Sequence, residues 1–175
     1  KVQKLLSGKF RGISKINDGY IIIDMLSGAK IFSKNFVLKI IIKLKKNCEA
    51  HGGFYCKFDN KLYVAQPGRD SLGIYDLKTN KVDEIFISNK WKKNKKDNHH
   101  INDLYVNDKS IFVSMFSLSG NWMKDIYDGS IVEISKKTGK IIEVLASDLW
   151  MPHSVNYLNN SLSYIDSMRG NIVTS

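Results

Sequence analysis

The chain has 175 residues, 43% apolar, 11% aromatic and 25% charged, a composition that can bury a core and excludes a disordered, collagenous or disulfide-stapled protein. Lys and Arg number 27 against 17 acidic residues, a formal charge of +10, which raises nucleic-acid and membrane readings. The distribution argues against both. Ten lysines and Arg11 face only Asp18 and Asp24 within residues 1–47, and the rest of the chain is close to neutral. The basicity therefore reads as one edge of the fold, remote from any site farther along.

No apolar run approaches the roughly 20 residues of a membrane-spanning helix, and no charged-then-apolar leader pattern opens the chain. Cys48 and Cys56 lack a C-x-x-C metal or redox spacing, so a reduced, cytoplasmic setting without membrane contact is the expectation. A start on Lys1 rather than Met reads as a processed or partial product.

In chain order, Gly12 to Asp24 reads as two strands around an Asn17-Asp18 turn, and Gly53 to Val64 repeats that pattern around Asp59-Asn60. Gly73 to Phe86 forms a second hairpin, turning at Lys78-Thr79-Asn80-Lys81. Asp103 to Val113 turns at Asn107-Asp108, Ser130 to Val144 at Lys137-Thr138-Gly139-Lys140, and Ser154 to Ile165 at Asn159-Asn160. Asn, Asp and Gly tolerate the left-handed backbone of tight hairpin turns, which gives each assignment a mechanism. The Asn/Asp turns recur after 42, 48 and 52 residues. Paired hairpins at a period of roughly 40–50 residues are the signature of a four-stranded propeller blade.

The fold expected is thus an all-β propeller with about three and a half blades, over residues 9–47, 51–90, 100–147 and 153–175, forming part of a larger ring. A meander or sandwich is the competing architecture.

The first strand of a blade lines the channel, so residues just before it gather at one mouth. His51, His100 and His153 hold that position in three blades, His99 falls beside His100, and Arg11 stands in the corresponding place of the first. With Asn102, Asp103 and Asp166 they form a candidate ligand site suited to an anion, a polar sugar-like molecule or a divalent metal. Each histidine taken singly also reads as a strut between blades. Zinc is disfavoured because no His-x-His or His-x-x-x-His pair occurs.

Two loops exceed the minimal blade. Phe116 to Gly129, carrying Trp122, Asp125, Tyr127 and Asp128, lies between second and third strands and could cover a site or pack on a neighbour. Ser88 to Asn98 sets five lysines around Trp91; it reads as a solvated interblade loop, since interleaved aromatics are too few for a nucleic-acid tract.

Two stretches carry a family resemblance: His100-Ile-Asn102 with Asn121-Trp122 and Asp128-Gly129-Ser130, and Met151-Pro-His-Ser154 with Ile165-Asp-Ser167. Over about Gly53 to Val173 they resemble an uncharacterised bacterial propeller family, a domain of unknown function. More distantly the chain is similar to the senescence-marker/gluconolactonase group of six-bladed propellers. That resemblance implies a metal- or substrate-binding Asn at a blade entrance, matched by Asn102, and a substrate-contacting Arg whose place His100 takes. His153 stands where the group has another Asn.

The reading reached is a propeller that binds a small polar or anionic ligand at its channel mouth, with a divalent metal as a candidate cofactor and enzymatic activity left open. A non-catalytic protein-interaction module is the alternative. Specific nucleic-acid binding is not expected.

Overall fold

The computed structural model describes residue 4 and residues 6–175. Four antiparallel sheets are arranged as a β-propeller. Blade 1 holds β1 (Phe10–Ile16), β2 (Gly19–Asp24), β3 (Gly28–Ser33) and β4 (Leu38–Ile42). Blade 2 holds β5 (Gly53–Cys56), β6 (Lys61–Gln66), β7 (Ser71–Asp76) and β8 (Val82–Phe86), and a short helix α1 (Lys90–Asn94) follows it. Blade 3 comprises β9 (Ile101–Val106), β10 (Ser110–Met115), β11 (Gly129–Ser135) and β12 (Ile141–Leu149). Blade 4 contributes β13 (Pro152–Leu158), β14 (Ser161–Asp166) and β15 (Asn171–Thr174), one strand more than its leading hairpin.

Within every blade the strands pair in simple sequence order, and all four Asn/Asp pairs sit at the first hairpin turn. Asn60, Asn159 and Asn160 take positive φ there. The second hairpins of blades 2 and 3 turn with Asn80 at φ 57° and Gly139 at φ 66°, the conformation these residues adopt most readily.

The core lies between blades. In β6, Leu62 and Val64 pack toward blade 1 with Ile21, Ile23 and Ala29. The alternate residues Tyr63 and Ala65 pack toward blade 3 with Ile111 and Val113. In β10 the intervening Phe112 turns the other way, against Val155, Leu162 and Tyr164 of blade 4, and stacks on Tyr157 at 4.3 Å between ring centroids. Side chains alternate across a strand, so a strand covered on both faces needs an unbroken apolar run. That is why Ile21-Ile22-Ile23, Leu62 to Ala65 and Ile111-Phe112-Val113 show no alternation, while the outer strand β4 is largely exposed.

The inner strands β1, β5, β9 and β13 contact one another in succession. Gly52 permits the closest approach: its N–H donates to the Asn102 carbonyl at 2.9 Å, and a Cβ there would lie 2.9 Å from the Asp103 Cα. Among the described residues no helix is long and apolar enough to cross a membrane.

Candidate functional site

The segment leading into each inner strand crosses one end of the channel, and there the entrance histidines meet. The His51 and His100 rings approach edge to face at 5.2 Å. His100 also packs against Phe116 and Trp122, at 4.5 and 4.4 Å, and Phe116 reaches His153 at 5.2 Å. Tyr127 continues the wall beside Trp122. The long loop after β10 therefore supplies an aromatic wall to the mouth, its Trp122 standing over His100.

Two entrances are built alike. Glu49 and Met151 adopt positive φ, 48° and 54°, and the carbonyl of each accepts from Nδ1 of the histidine two residues on, His51 or His153, at 2.8 Å. Ser167 Oγ lies 2.7 Å from the same His153 nitrogen. A carbonyl can only accept, so Nδ1 carries the proton in both rings and Nε2 keeps its lone pair when the ring is neutral.

His100 is held differently. Its backbone N–H donates to Asp97 Oδ1 at 2.8 Å and its Nδ1–H to Asp97 Oδ2, so one carboxylate clamps both main chain and ring. The residue itself sits at φ 47°, an unusual conformation for a non-glycine and one that recurs at functional sites.

His99 does not belong to the mouth. The reading that placed all four histidines there is corrected: His99 is buried, its Nδ1 bonded to Asp70 Oδ2 at 2.8 Å and its N–H to Asp70 Oδ1 at 2.9 Å. His99 joins blade 2 to blade 3, while His100, turned by its positive φ, lines the opening.

The remaining candidates divide. Asp103 lies on the channel wall against Gly52, where burial pushes its carboxyl above the usual range, partly offset by the Leu104 N–H, His153 and the Ser154 backbone. Asn102 is buried on β9. Asp166 is buried too, and both its oxygens are engaged, Oδ1 by the Trp150 N–H at 2.8 Å and Oδ2 by Arg169 at 3.0 Å. It locks the turn after β14.

A cavity of about 1000 Å³ opens between blades 1 and 2 at this mouth, lined by Arg11, Lys43, Lys45, Lys46, His51 and His100, with Glu49 its only acidic residue. The expectation that the N-terminal charge lies away from the histidines is overturned. Lys43, Lys45 and Lys46 occupy the linker from β4, the outer strand of blade 1, back to β5, and such a linker must pass over the mouth. Burial lowers the His51 pKa below its ordinary value; the nearby His100 and Arg11 act the same way, against the Glu49 carbonyl and Asp97.

Among the described residues no group of three or more His, Cys, Asp or Glu comes close enough to hold a metal ion. Trp91 clips the Ser88–Asn98 loop to blade 2: its Nε1 donates to the Gly68 carbonyl at 3.0 Å, with Phe86 stacked on the indole and the Lys95 ammonium 4.0 Å from its centroid.

No family model matches the chain, and no curated protein matches it. Solved structures do. A structural-genomics target named as a candidate gluconolactonase superposes with a TM-score of 0.72 at 14% identity, over 97% of this chain and 60% of its own. The computationally designed Ika4 protein aligns at 0.62 and 10% identity, over 100% and 98%. A streptogramin B lyase aligns at 0.58 and 12%, over 94% and 53%. The chain spans about 60% of the length of the first of these. At such identities the likeness shows a shared β-propeller fold.

Proposed function

We propose that the channel mouth binds a small anionic ligand. The observation that carries this reading is the groove between blades 1 and 2, where Arg11, Lys43, Lys45, Lys46 and His51 converge on a space large enough for a metabolite. Concave openings lined by converging polar groups are the usual place for a ligand, and like charges held together in a recess attract a counter-ion more strongly than the same charges spread over a convex surface. Met25, Leu26, Ile41 and Leu44 line the same groove and supply apolar contact for the uncharged part of such a molecule.

His51 adds a pH dependence. Burial, with His100 and Arg11 beside it, lowers its pKa in the free protein, and a bound anion favours the protonated ring. Protonation of His51 on binding therefore makes affinity rise as pH falls into the imidazole range.

Titration calorimetry with inorganic phosphate and with succinate tests the reading. One anion is expected to bind with an affinity that falls with added salt, rises at lower pH and drops about two- to fivefold on Arg11→Ala or Lys46→Ala, the scale of a solvent-exposed charge contact. Failure of both anions to bind at low salt overturns the proposal, as does binding indifferent to these substitutions.

A further inference from the structure

Strands pair in sequence order within each blade, so the loop after a second strand and the linker ahead of the next blade lie at the same end of the fold. The Ser88–Asn98 linker, with its helix α1, therefore meets the long loop after β10. Between them lies a second cleft, of about 450 Å³. It shares no lining residue with the groove of Arg11 and His51, so the two openings can be filled independently. Lys90, Lys93, Lys96 and Lys124 line it, together with three asparagines and Met123, and no acidic residue does.

The walls are tied together before anything binds. Lys90 Nζ donates to the Ser119 and Gly120 carbonyls at 2.6 and 2.9 Å, the Trp122 N–H to the Asn98 carbonyl at 3.0 Å, and the Asn94 amide to Asn98 Oδ1 at 2.7 Å. A preformed cleft costs a ligand little ordering of the protein. Lys90 is spent on these bonds, but Lys93, Lys96 and Lys124 are exposed. Among the described residues none of the three makes an ion pair, the paired lysines being Lys30, Lys81 and Lys136. The carboxylates of the same two loops are engaged elsewhere: Asp97 with His100, Asp128 with Ser117 Oγ and the Ser119 N–H, and Asp125 with the Tyr127 hydroxyl. Three like charges around one recess, with no counter-charge, attract an anion from solution.

We propose that this cleft is a docking site for an acidic polypeptide segment of a partner protein, one in which glutamates or aspartates are interspersed with large apolar side chains. Its carboxylates pair with Lys93, Lys96 and Lys124. Its apolar side chains seat on Met123, which is 61% exposed, and on Ile126, exposed three residues farther along the same loop; a flexible thioether adapts to varied apolar partners.

Charge alone would serve a nucleic acid equally, but two features favour a polypeptide. The indoles flanking the cleft are covered, Trp91 by Phe86 and by the Arg69 and Lys95 cations, and Trp122 by His100 and Tyr127. Neither leaves a free face on which a base can stack. Met123 and Ile126, in turn, match apolar side chains that a polypeptide carries and a phosphate backbone lacks. The lysines also line a recess, which a flat bilayer surface does not enter.

The test measures fluorescence anisotropy on the full chain with labelled probes of matched charge: a peptide of glutamate and leucine, a peptide of glutamate and serine, and a single-stranded RNA. The glutamate–leucine peptide is expected to bind most tightly, with an affinity that falls as salt is added. Lys93→Ala with Lys124→Ala should weaken it about tenfold, two exposed charge contacts at a few-fold each. Met123→Ser should weaken it about two- to fivefold through lost apolar burial and leave the glutamate–serine peptide unchanged. All three side chains are exposed, and thermal melting confirms that the variants fold.

Arg11→Ala, a substitution in the groove, should leave peptide affinity unchanged; a loss equal to that of the lysine pair would place the peptide in the groove and overturn the second site. No binding of the glutamate–leucine peptide at low salt, or binding indifferent to Lys93→Ala with Lys124→Ala, also overturns it. Equal affinity for the two acidic peptides, or RNA binding as tight as that of the glutamate–leucine peptide, overturns the acidic and apolar polypeptide as the occupant. Either failure leaves the small-anion reading of the groove untouched, since that is tested with phosphate and succinate.

Discussion

His99 and His100 are neighbours in sequence, each is bonded to an aspartate through Nδ1 and through its backbone N–H, and they have opposite surroundings. Asp70 is fully buried and His99 nearly so. Asn98 adds a third donor to the same carboxylate, and the far edge of the imidazole is shut in by Gly120, where a Cβ would meet Nε2 at 2.7 Å. Asp97 and His100 make the same bonds at the rim of a large cavity. A buried carboxylate–imidazole pair that is fully enclosed acts as a joint, since any change leaves a polar group without a partner. The same pair at the edge of a cavity has capacity left for a ligand.

The comparison can be broken most directly at Asp70. Asp70→Ala removes the acceptor for the His99 N–H, the His99 ring and Asn98 at once, and is expected to lower unfolding stability by about 3–5 kcal/mol in urea denaturation. A loss below about 1 kcal/mol, the scale of a single ordinary hydrogen bond, would show that the buried pair is no joint. Next in size is Gly52→Ala, whose methyl would press on the Asp103 Cα between β5 and β9. It is expected to cost about 1–3 kcal/mol, as over-packing of a closed interior does, and to weaken anion binding by shifting His51.

His100→Gln should cost no more than about 1 kcal/mol, because Asp97 keeps its backbone partner and no buried donor is orphaned. Its melting temperature should fall far less than that of Asp70→Ala. Equal destabilisation by the two would erase the contrast between joint and site.

The smallest effect expected is a pH dependence in blade 1. Burial raises the Asp24 carboxyl, but hydrogen bonds from Lys30, Ser27 and the Leu26 N–H overcome it and hold the pKa at about 2. The folded value lies below the unfolded one of 3.8, so this contribution is fully present above about pH 5 and is lost as pH falls through 4 toward 2. Asp24→Asn is expected to flatten the stability profile in that window and leave it unchanged at neutral pH apart from a constant offset. Denaturation midpoints measured from pH 2 to 6 provide the check.

Much of the architecture was legible from turns. Asn17-Asp18, Asp59-Asn60, Asn107-Asp108 and Asn159-Asn160 mark the leading hairpins because few other residues accept a tight turn, and Lys78 to Lys81 and Lys137 to Lys140 mark the second hairpins in the same way. The long loop from Phe116 was equally visible, because it exceeds the length a hairpin needs. The third strand of blade 4, Asn171–Thr174, was not, since four residues carry too little pattern to declare a strand.

At the mouth the sequence singled out His51, His100 and His153, but not Asp97, Phe116 or the lysines of the β4–β5 linker. Asp97 had a signal: an aspartate three residues before a histidine can receive both its N–H and its ring, the i to i+3 side-chain-to-backbone bond of a helix N-cap. The lysines had one too, because residues between an outer strand and the next inner strand must cross the channel end. Charge counted along the chain hides this, as it assigns Lys43 to Lys46 to blade 1 by number when space assigns them to the entrance of blade 2.

What the sequence determined alone is the repeat: paired hairpins with unbroken apolar runs in their second strands, patterns that arise from local turn chemistry and from burial on both faces. Tertiary structure decided which of two adjacent histidines is a joint and which faces a ligand space, and it brought Arg11, Lys43 and Lys46 to a site that opens near residue 100. Local patterns record how each residue bonds to its near neighbours. The surroundings of a side chain depend on which distant blade lies against it, and only the assembled propeller sets that.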